Sequence, residues 1–413
     1  MLVSSHPMGN ANVRQAMLAF AEAGMLECFL TSLAIFDGSL LGFLSKQRGF
    51  RELRRRQFPE ALRPFTRCHP AREILRLVML RSGYEKWIQH ESGWASVDQI
   101  FQSLDRNLAF EASRRHPSAV YCYEDGALHS FQAAKPLGAR CFYDYPVAHW
   151  RKVRSLMEEE CHLQPEWINT MPGFKDSQEK LDRKDEELRL ADQIIVASEF
   201  SRASLSMCPF PLAPIFVNRY GAPTALLENR RLPLKLNNSS PIKVLFVGGL
   251  HQMKGISYLL DAMKLLGNRG SLTLIGALPT RDCRPLNAAL SSNQWIPSLA
   301  HDDILTQMSS HDVFAFPSLS EGFGMVITEA LSQGLPVITT PNTCGPDVLS
   351  DGEDGFIVPI RSPVALAEKL ELLHRDRDLL ATMSEASQAK ARQLSWASYR
   401  NRLVAEVKRN LSA

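Results

Sequence analysis

Glu321-Gly-Phe-Gly-Met-Val-Ile-Thr-Glu329 sets two carboxylates around a two-glycine turn. Upstream, Val313-Phe-Ala-Phe-Pro-Ser is a short apolar run ending at a proline, which predicts a buried strand. Downstream, Val326, Ile327, Ala330 and Leu331 fall at helical spacing, and Gly334 suits the helix end. Gly322 and Gly324 therefore lie where a strand turns into a helix. Glycine lets backbone N–H groups approach a ligand closely, and a helix N-terminus favours an anion such as phosphate. Glu321 enters the turn, and Glu329 lies about two helical turns further on. One carboxylate can face the reacting group of a ligand while the other accepts hydrogen bonds from hydroxyls. The same grammar occurs earlier. Lys243-Val-Leu-Phe-Val is a strand, Gly248 and Gly249 make a turn, Lys254 follows, and Ile256, Leu259, Leu260 and Met263 mark a helix. Backbone amides in such a turn can reach phosphate, and the lysine adds a point charge suited to a diphosphate.

The stretch 321–329 resembles the E-x7-E motif of glycosyltransferase family 4, the retaining nucleotide-sugar-dependent enzymes with the GT-B fold. The resemblance runs through the C-terminal half. Phe246-Val-Gly-Gly-Leu-His-Gln-Met-Lys-Gly255 looks like the family's first strand and phosphate loop, and Leu272-Thr-Leu-Ile-Gly276 like its second strand. Gly334-Leu-Pro-Val-Ile-Thr-Thr and Asp351-Gly-Glu-Asp-Gly-Phe-Ile-Val follow in the family order. The resemblance implies an α/β chain of two Rossmann-like parallel-sheet domains facing a central cleft. It implies that Glu321 hydrogen-bonds the donor sugar and Glu329 the ribose of the nucleotide. Gly248, Gly249, Lys254 and the turn Gly322-Phe323-Gly324 would then hold the diphosphate. Many members carry an arginine where this chain has Gly249. No metal and no cofactor are implied beyond the nucleotide-diphosphate sugar itself, and no D-x-D is placed at the diphosphate loop. The expected activity is retaining transfer of a hexose-type sugar to a glycan, lipid-linked or small-molecule acceptor. Another GT-B enzyme, an epimerase or sugar-phosphate synthase, and a nucleotide-sugar-binding protein without catalysis are the alternatives.

The N-terminal half must supply the opposite wall. Val3-Ser-Ser-His-Pro-Met-Gly-Asn reads as a strand and glycine loop. Val13, Met17, Leu18, Phe20 and Ala21 form a helical stripe closed by Gly24, and Phe29 to Phe36 reads as the next strand. That βαβ order predicts a parallel sheet whose first loop opens at the strands' carboxyl ends, where ligands bind. Gly9 and Asn10 are candidates to line the cleft, and His6 is read as a structural histidine. Ala119 to Tyr123 and Arg140 to Tyr145 are further strands. Family 4 members often have a histidine after the corresponding late strand, near the transferred sugar. Here Asp144 closes the strand and His149 follows, so either is a candidate catalytic contact, or a helix-capping aspartate and a surface histidine. Trp150 to Leu190 is a long polar helical region. Ala191-Asp-Gln-Ile-Ile-Val-Ala-Ser-Glu-Phe-Ser resembles the family's last full βα step of this domain. The expected division is an acceptor-side domain over 1–221, a linker over 222–241 and a nucleotide-sugar domain over 242–390. A last helix over 391–413 packs back on the first domain.

Composition sets bounds. The chain has 413 residues, is 45% hydrophobic and 22% charged, and carries a net charge of +3, a globular balance too weakly basic to imply nucleic acid as a partner. None of the eight cysteines forms a C-x-x-C pair, so no zinc or redox motif is indicated and a reducing compartment suits them. The start lacks a signal-peptide pattern, and Phe29 to Leu44 is interrupted by Asp37 and Gly38, so a cytoplasmic protein is expected. Lys46, Arg48, Arg51, Arg54, Arg55 and Arg56 form a basic run. It is either a solvated face or a contact for an anionic acceptor or the inner membrane surface.

Overall fold

The computed structural model describes residues 1–38, 56–171, 173–223 and 240–412. Among them the strands form two parallel sheets. The first holds β1 (Leu2–Ser5), β2 (Leu26–Thr31), β3 (Thr66–Cys68), β4 (Ala119–Tyr123), β5 (Arg140–Tyr145), β6 (Gln193–Val196) and β7 (Ile215–Val217), in the order β3-β2-β1-β4-β5-β6-β7. The second holds β8 (Ile242–Val247), β9 (Gly270–Ile275), β10 (Gln294–Ile296), β11 (Val313–Phe316), β12 (Val337–Thr339) and β13 (Gly355–Ile357), in the order β10-β9-β8-β11-β12-β13. Strand order reverses between β1 and β4 in one sheet and between β8 and β11 in the other. At such a switch point adjacent loops diverge to opposite faces and leave a crevice at the carboxyl ends. The fold is GT-B, as expected.

Continuous apolar runs explain the sheets. β1, β4, β11 and β12 are buried at every position, as strands covered by helices on both faces must be. β2 ends at Thr31, short of the expected Phe36, because the chain turns to bridge Ile35 with Gln57. The polar region after Trp150 is not one helix. Trp150–Leu163 and Gln178–Leu190 are separated by a 3-10 turn at Pro165–Thr170, where a proline ends the first.

The first sheet ends at Val217 and the second begins at Ile242. Helix Arg377–Gln393 packs on Met325–Ser332 and belongs to the second domain. The crossing helix is Trp396–Ser412, which lies on Ala11–Glu22 of the first domain. Arg400 Nη1 donates to Gln15 Oε1 at 2.6 Å, and Tyr399 and Trp396 pack on Tyr220. Ala222 bridges Ser395, so the chain leaves and re-enters the first domain side by side. Of the expected linker, residues 224–239 lie outside the described residues, as does the basic run 46–55. Arg56 is described, and it is not a solvated group: it is buried in an ion pair with Glu73.

Candidate active site

The loops after β8 and β11 flank the switch point of the second sheet, and they carry Lys254 and Glu321. The two side chains form an ion pair. Each is held from behind. Lys254 ends a one-turn 3-10 segment, Gln252–Lys254, closed by Gly255 at φ 72°. A Cβ at Gly255 would lie 2.0 Å from the Pro317 carbonyl oxygen, so the two loops meet backbone to backbone there. Leu319 N donates to Met253 O at 2.9 Å, Asn342 Nδ2 to Leu319 O at 2.8 Å, and Glu321 N to Asn342 O at 2.9 Å. Three loops are thus tied together under the ion pair. Burial pushes the Lys254 ammonium down to about 8. The touching Glu321 carboxylate opposes that shift, because an opposite charge favours the charged form.

Glu321 is followed by Gly322, Phe323 and Gly324, and then by helix Met325–Ser332. Gly324 is its N-cap at φ 85°, and no side chain caps it. The helix therefore presents its first amides and positive dipole end to the crevice. Glu329 lies on this helix, with burial raising its carboxyl above the usual range and His301 Nδ1 3.9 Å away opposing. Beyond it, a cavity of about 670 Å³ opens at the ends of β9 and β10, lined by Leu278, Arg281, Asn287, Trp295 and Pro297 among others. Trp295 Nε1 donates to Gly276 O at 3.0 Å, which fixes the indole at the cavity wall.

The two walls touch at Gly322. Its carbonyl accepts from Ser198 Oγ at 2.6 Å and Ser201 Oγ at 2.9 Å, both from the first domain. A Cβ there would fall 1.8 Å from the Pro146 carbonyl oxygen. Only glycine allows this approach, so Gly322 serves the domain contact as much as any ligand. Asp347 extends the contact by accepting from Arg219 Nε at 3.1 Å and Glu199 N at 3.1 Å. A third link is buried: Glu160 accepts from Gln252 Nε2 at 2.7 Å, Tyr258 OH at 2.8 Å and Arg361 Nε at 2.7 Å. The sequence assigns no role at this contact to Ser198, Ser201, Glu160, Asp347 or Arg219. Glu160 had a signal. It shares a helix face with Val153, Leu156 and Met157, and a charge on an apolar face is a buried charge with a partner.

Several expected ligands sit elsewhere. The Gly248 amide donates to Ile275 O at 2.9 Å, continuing the sheet, so it is not offered to a phosphate. Gly249 is covered by the His251 ring, 2.9 Å from where a Cβ would stand. His251 itself has a buried Nδ1 with no partner among the described residues, and burial, with Lys254 nearby, lowers its pKa to about 4. The Phe323 side chain does not face the crevice. It is buried against Tyr220, 5.0 Å between ring centres, because the domain contact needs an apolar filler. Gly9 does lie in the loop after β1, at the switch point of the first sheet. Phe58 covers its face and Arg14 binds its carbonyl.

Asp144 and His149 are both buried. Asp144 accepts from Tyr121 OH at 2.7 Å, and burial raises its carboxyl to about 7. His149 is not the surface histidine considered from sequence. It caps helix Trp150–Leu163, its Nδ1 accepting from Arg151 N at 3.4 Å, and its Nε2 lies 3.3 Å from Cys208 Sγ. Burial lowers it to about 4. Neither side chain joins Lys254 and Glu321. Among the described residues one trio, His90, Glu91 and Asp176, has ligand atoms close enough for a metal, but Lys180 Nζ already lies 3.0 Å from Asp176 Oδ1.

Residues 232–390 match the family described as "Glycosyl transferases group 1". That match covers under half of the chain and lies in the second domain and the segment that leads into it. It is 34% identical over 167 residues to the capsular polysaccharide biosynthesis glycosyltransferase CapM of Staphylococcus aureus, a match covering 38% of this chain and 43% of that relative. The curated match thus spans under half of either protein. Whole-chain likeness comes from solved structures. Sucrose-phosphate synthase from Thermosynechococcus elongatus superposes with TM-score 0.63 at 19% identity, covering 99% of this chain and 98% of that one. Anabaena Alr3699/HepE in complex with UDP and glucose superposes with TM-score 0.62 at 17% identity, covering 98% and 99%. At these identities the likeness establishes the shared fold.

Proposed function

We propose that this protein is a glycosyltransferase that takes a hexose-type sugar from a nucleotide-diphosphate sugar and passes it, with retention, to a glycan, lipid-linked or small-molecule acceptor. The observation that carries the reading is the Lys254–Glu321 pair at the switch point of the second sheet, beside an uncapped helix start. Breaking a sugar–phosphate bond leaves an oxocarbenium-like sugar and a diphosphate of growing negative charge, which preorganised donors must stabilise. Lys254 and the first amides of helix Met325–Ser332 are such donors. On donor binding, the ammonium exchanges its carboxylate partner for the diphosphate. Glu321 is released to accept hydrogen bonds from the sugar. Glu329 takes the ribose hydroxyls, and the cavity beside Trp295 takes the base. The relative from Anabaena, whose complex contains UDP and glucose, supports a uridine nucleotide sugar as the first donor to try. The donor half of the cycle needs only this chain's own cations and amides, so no cofactor is proposed. The eight free cysteines fit a cytoplasmic setting, and among the described residues no helix is long and apolar enough to cross a membrane.

The test is release of nucleoside diphosphate from a panel of nucleotide sugars with mixed acceptors, with the anomeric configuration of product read by NMR. Acceptor-dependent release that Lys254→Ala abolishes supports the reading. Tight nucleotide-sugar binding without release on any acceptor would favour a binding protein, and an inverted product would overturn retention.

A further inference from the structure

Helix Ala71–Ser82 leaves the carboxyl end of the edge strand β3, and its only fully buried residue is Glu73, held by Arg56 and Arg76. Ile74 and Val78 share one face at helical spacing, and Ile74 and Leu80 are at least half exposed. Gly83 ends the helix at φ 73°, and the next turn, Glu85–Ile88, packs back on it. That turn exposes Tyr84 by two-thirds and Trp87 by half. Ala95 N donates to Trp87 O at 2.9 Å, which brings Trp94 alongside. Arg72 stacks over the Trp94 ring at 4.3 Å and binds its carbonyl, joining the aromatic loop to the helix start. Exposed apolar side chains gathered on a helix and on the turn packed against it offer an interaction surface.

Its charge selects the partner. Between residues 71 and 94, which carry the patch, there are four Lys and Arg against three Asp and Glu, and Arg76 is taken by Glu73. The upstream run 46–55 adds five basic residues against one acidic. Arg81 and Lys86 flank the exposed Val78, Leu80, Tyr84 and Trp87, with no ion-pair partner among the described residues. Apolar side chains, interfacial Trp and Tyr, and a local basic excess are complementary to an anionic bilayer surface. We propose that the first domain docks on an anionic lipid surface through helix Ala71–Ser82 and the Tyr84–Trp94 turns. The proposal stands apart from the transferase reading and is tested without donor or acceptor.

The experiment is co-sedimentation of the full chain with phosphatidylglycerol-rich or pure phosphatidylcholine vesicles, at low and high salt. Wild type should bind the anionic vesicles, more weakly as salt rises. Two paired variants separate the contributions: Val78→Ser with Trp87→Ser, and Arg81→Gln with Lys86→Gln. Each should weaken binding ~10-fold or more, the second also flattening the salt dependence. The positions are exposed, so melting temperatures should not move. Failure of wild type to sediment with anionic vesicles overturns the proposal. So does equal binding to neutral vesicles, or unchanged binding by both variants. Binding lost only when Arg51, Arg54 and Arg55 are neutralised would move the contact to the basic run. A concentration-dependent dimer broken by the Val78 variant, without vesicle binding, would make the face a contact between two copies of the chain.

Discussion

Two carboxylates stand on either side of one backbone contact and have opposite fates. Glu321 precedes Gly322, and Asp144 lies two positions before Pro146, whose carbonyl meets Gly322. Asp144 is still inside β5, opposite Tyr123 and Ile195 in the sheet, so its side chain points into a face covered by helices. Tyr121 donates to it, and Tyr220 and Tyr399 close over the same layer. It is driven towards the neutral acid. Glu321 lies beyond the end of β11, in a loop propped against two neighbours, and meets a cation at the crevice. It is paired with a lysine. A carboxylate near a strand end is therefore not enough to make a site. What counts is whether the backbone has left the sheet before the side chain is placed.

The largest effect that would test this contrast is at Lys254. Lys254→Ala should lower kcat/KM on the order of 10²- to 10³-fold, the usual cost of one preorganised donor to developing charge. The fold should survive, since the side chain lies in the crevice wall. Unchanged steady-state kinetics with the true donor would remove the cationic end of the site and with it the contrast. Next are the two glutamates of the turn. Glu321→Gln should cut kcat on the order of 10²-fold with little change in KM, if the hydrogen bonds proposed between it and the sugar strengthen as the bond breaks. Glu329→Gln should raise KM about 10-fold and leave kcat alone, as loss of the proposed ribose contact, made equally in ground and transition states, would do. Measured parameters that swap these patterns would exchange the two roles.

Asp144 gives a stability effect in place of a kinetic one. Its carboxyl is raised from the ordinary 3.8 to about 7. The folded protein then keeps a proton that the unfolded chain releases. Stability is full below about pH 4, falls as pH rises through the window up to about 7, and is flat beyond it. About three units at ~1.4 kcal/mol each bound the loss at ~4 kcal/mol. Asp144→Asn, which can still accept from Tyr121, should recover ~2–4 kcal/mol at pH 8 and flatten the pH dependence of thermal unfolding. Transfer activity should persist. A variant with unchanged stability and lost turnover would instead put Asp144 in the reaction.

Much of the second domain could be read directly. Its strands are continuous apolar runs, its turns are marked by glycines, and Lys254 and Glu321 stand next to those turns. What could not be read was which glycine serves a ligand. Gly322 and Gly255 are required by backbone contacts with Pro146 and Pro317, partners far away in sequence or across a loop. Gly248 spends its amide on β9. The first domain was legible as a parallel sheet but not as a site. Asp144 is a polar residue near a strand end and His149 follows it, and period-two alternation does not reveal that tyrosines from three other segments cover the first or that Cys208 packs on the second. Glu160 was one of three consecutive glutamates, and only its place on the Val153, Leu156 and Met157 face separated it from its neighbours.

The smallest expected effect is at His149, and it closes the contrast from the first-domain side. The imidazole starts a helix, accepts from Arg151 N, lies against Cys208 and is kept neutral by burial, at about 4. A neutral buried ring needs shape and one acceptor, not a proton to transfer. Asparagine supplies an acceptor for the same cap, while alanine supplies none and leaves a void. His149→Asn should therefore retain stability to within ~1 kcal/mol, and His149→Ala should lose ~1–3 kcal/mol, from the missing cap and the cavity together. In both variants the folded fraction should keep wild-type kcat, and the activity–pH profile should not shift near pH 6–7. Thermal melts and pH–rate profiles run on the three proteins decide the matter. If His149→Asn melts like wild type but loses turnover more than 100-fold, the ring must leave its buried position during the reaction. The closed arrangement at the end of β5 would then be the resting state of a catalytic group, not a structural cap.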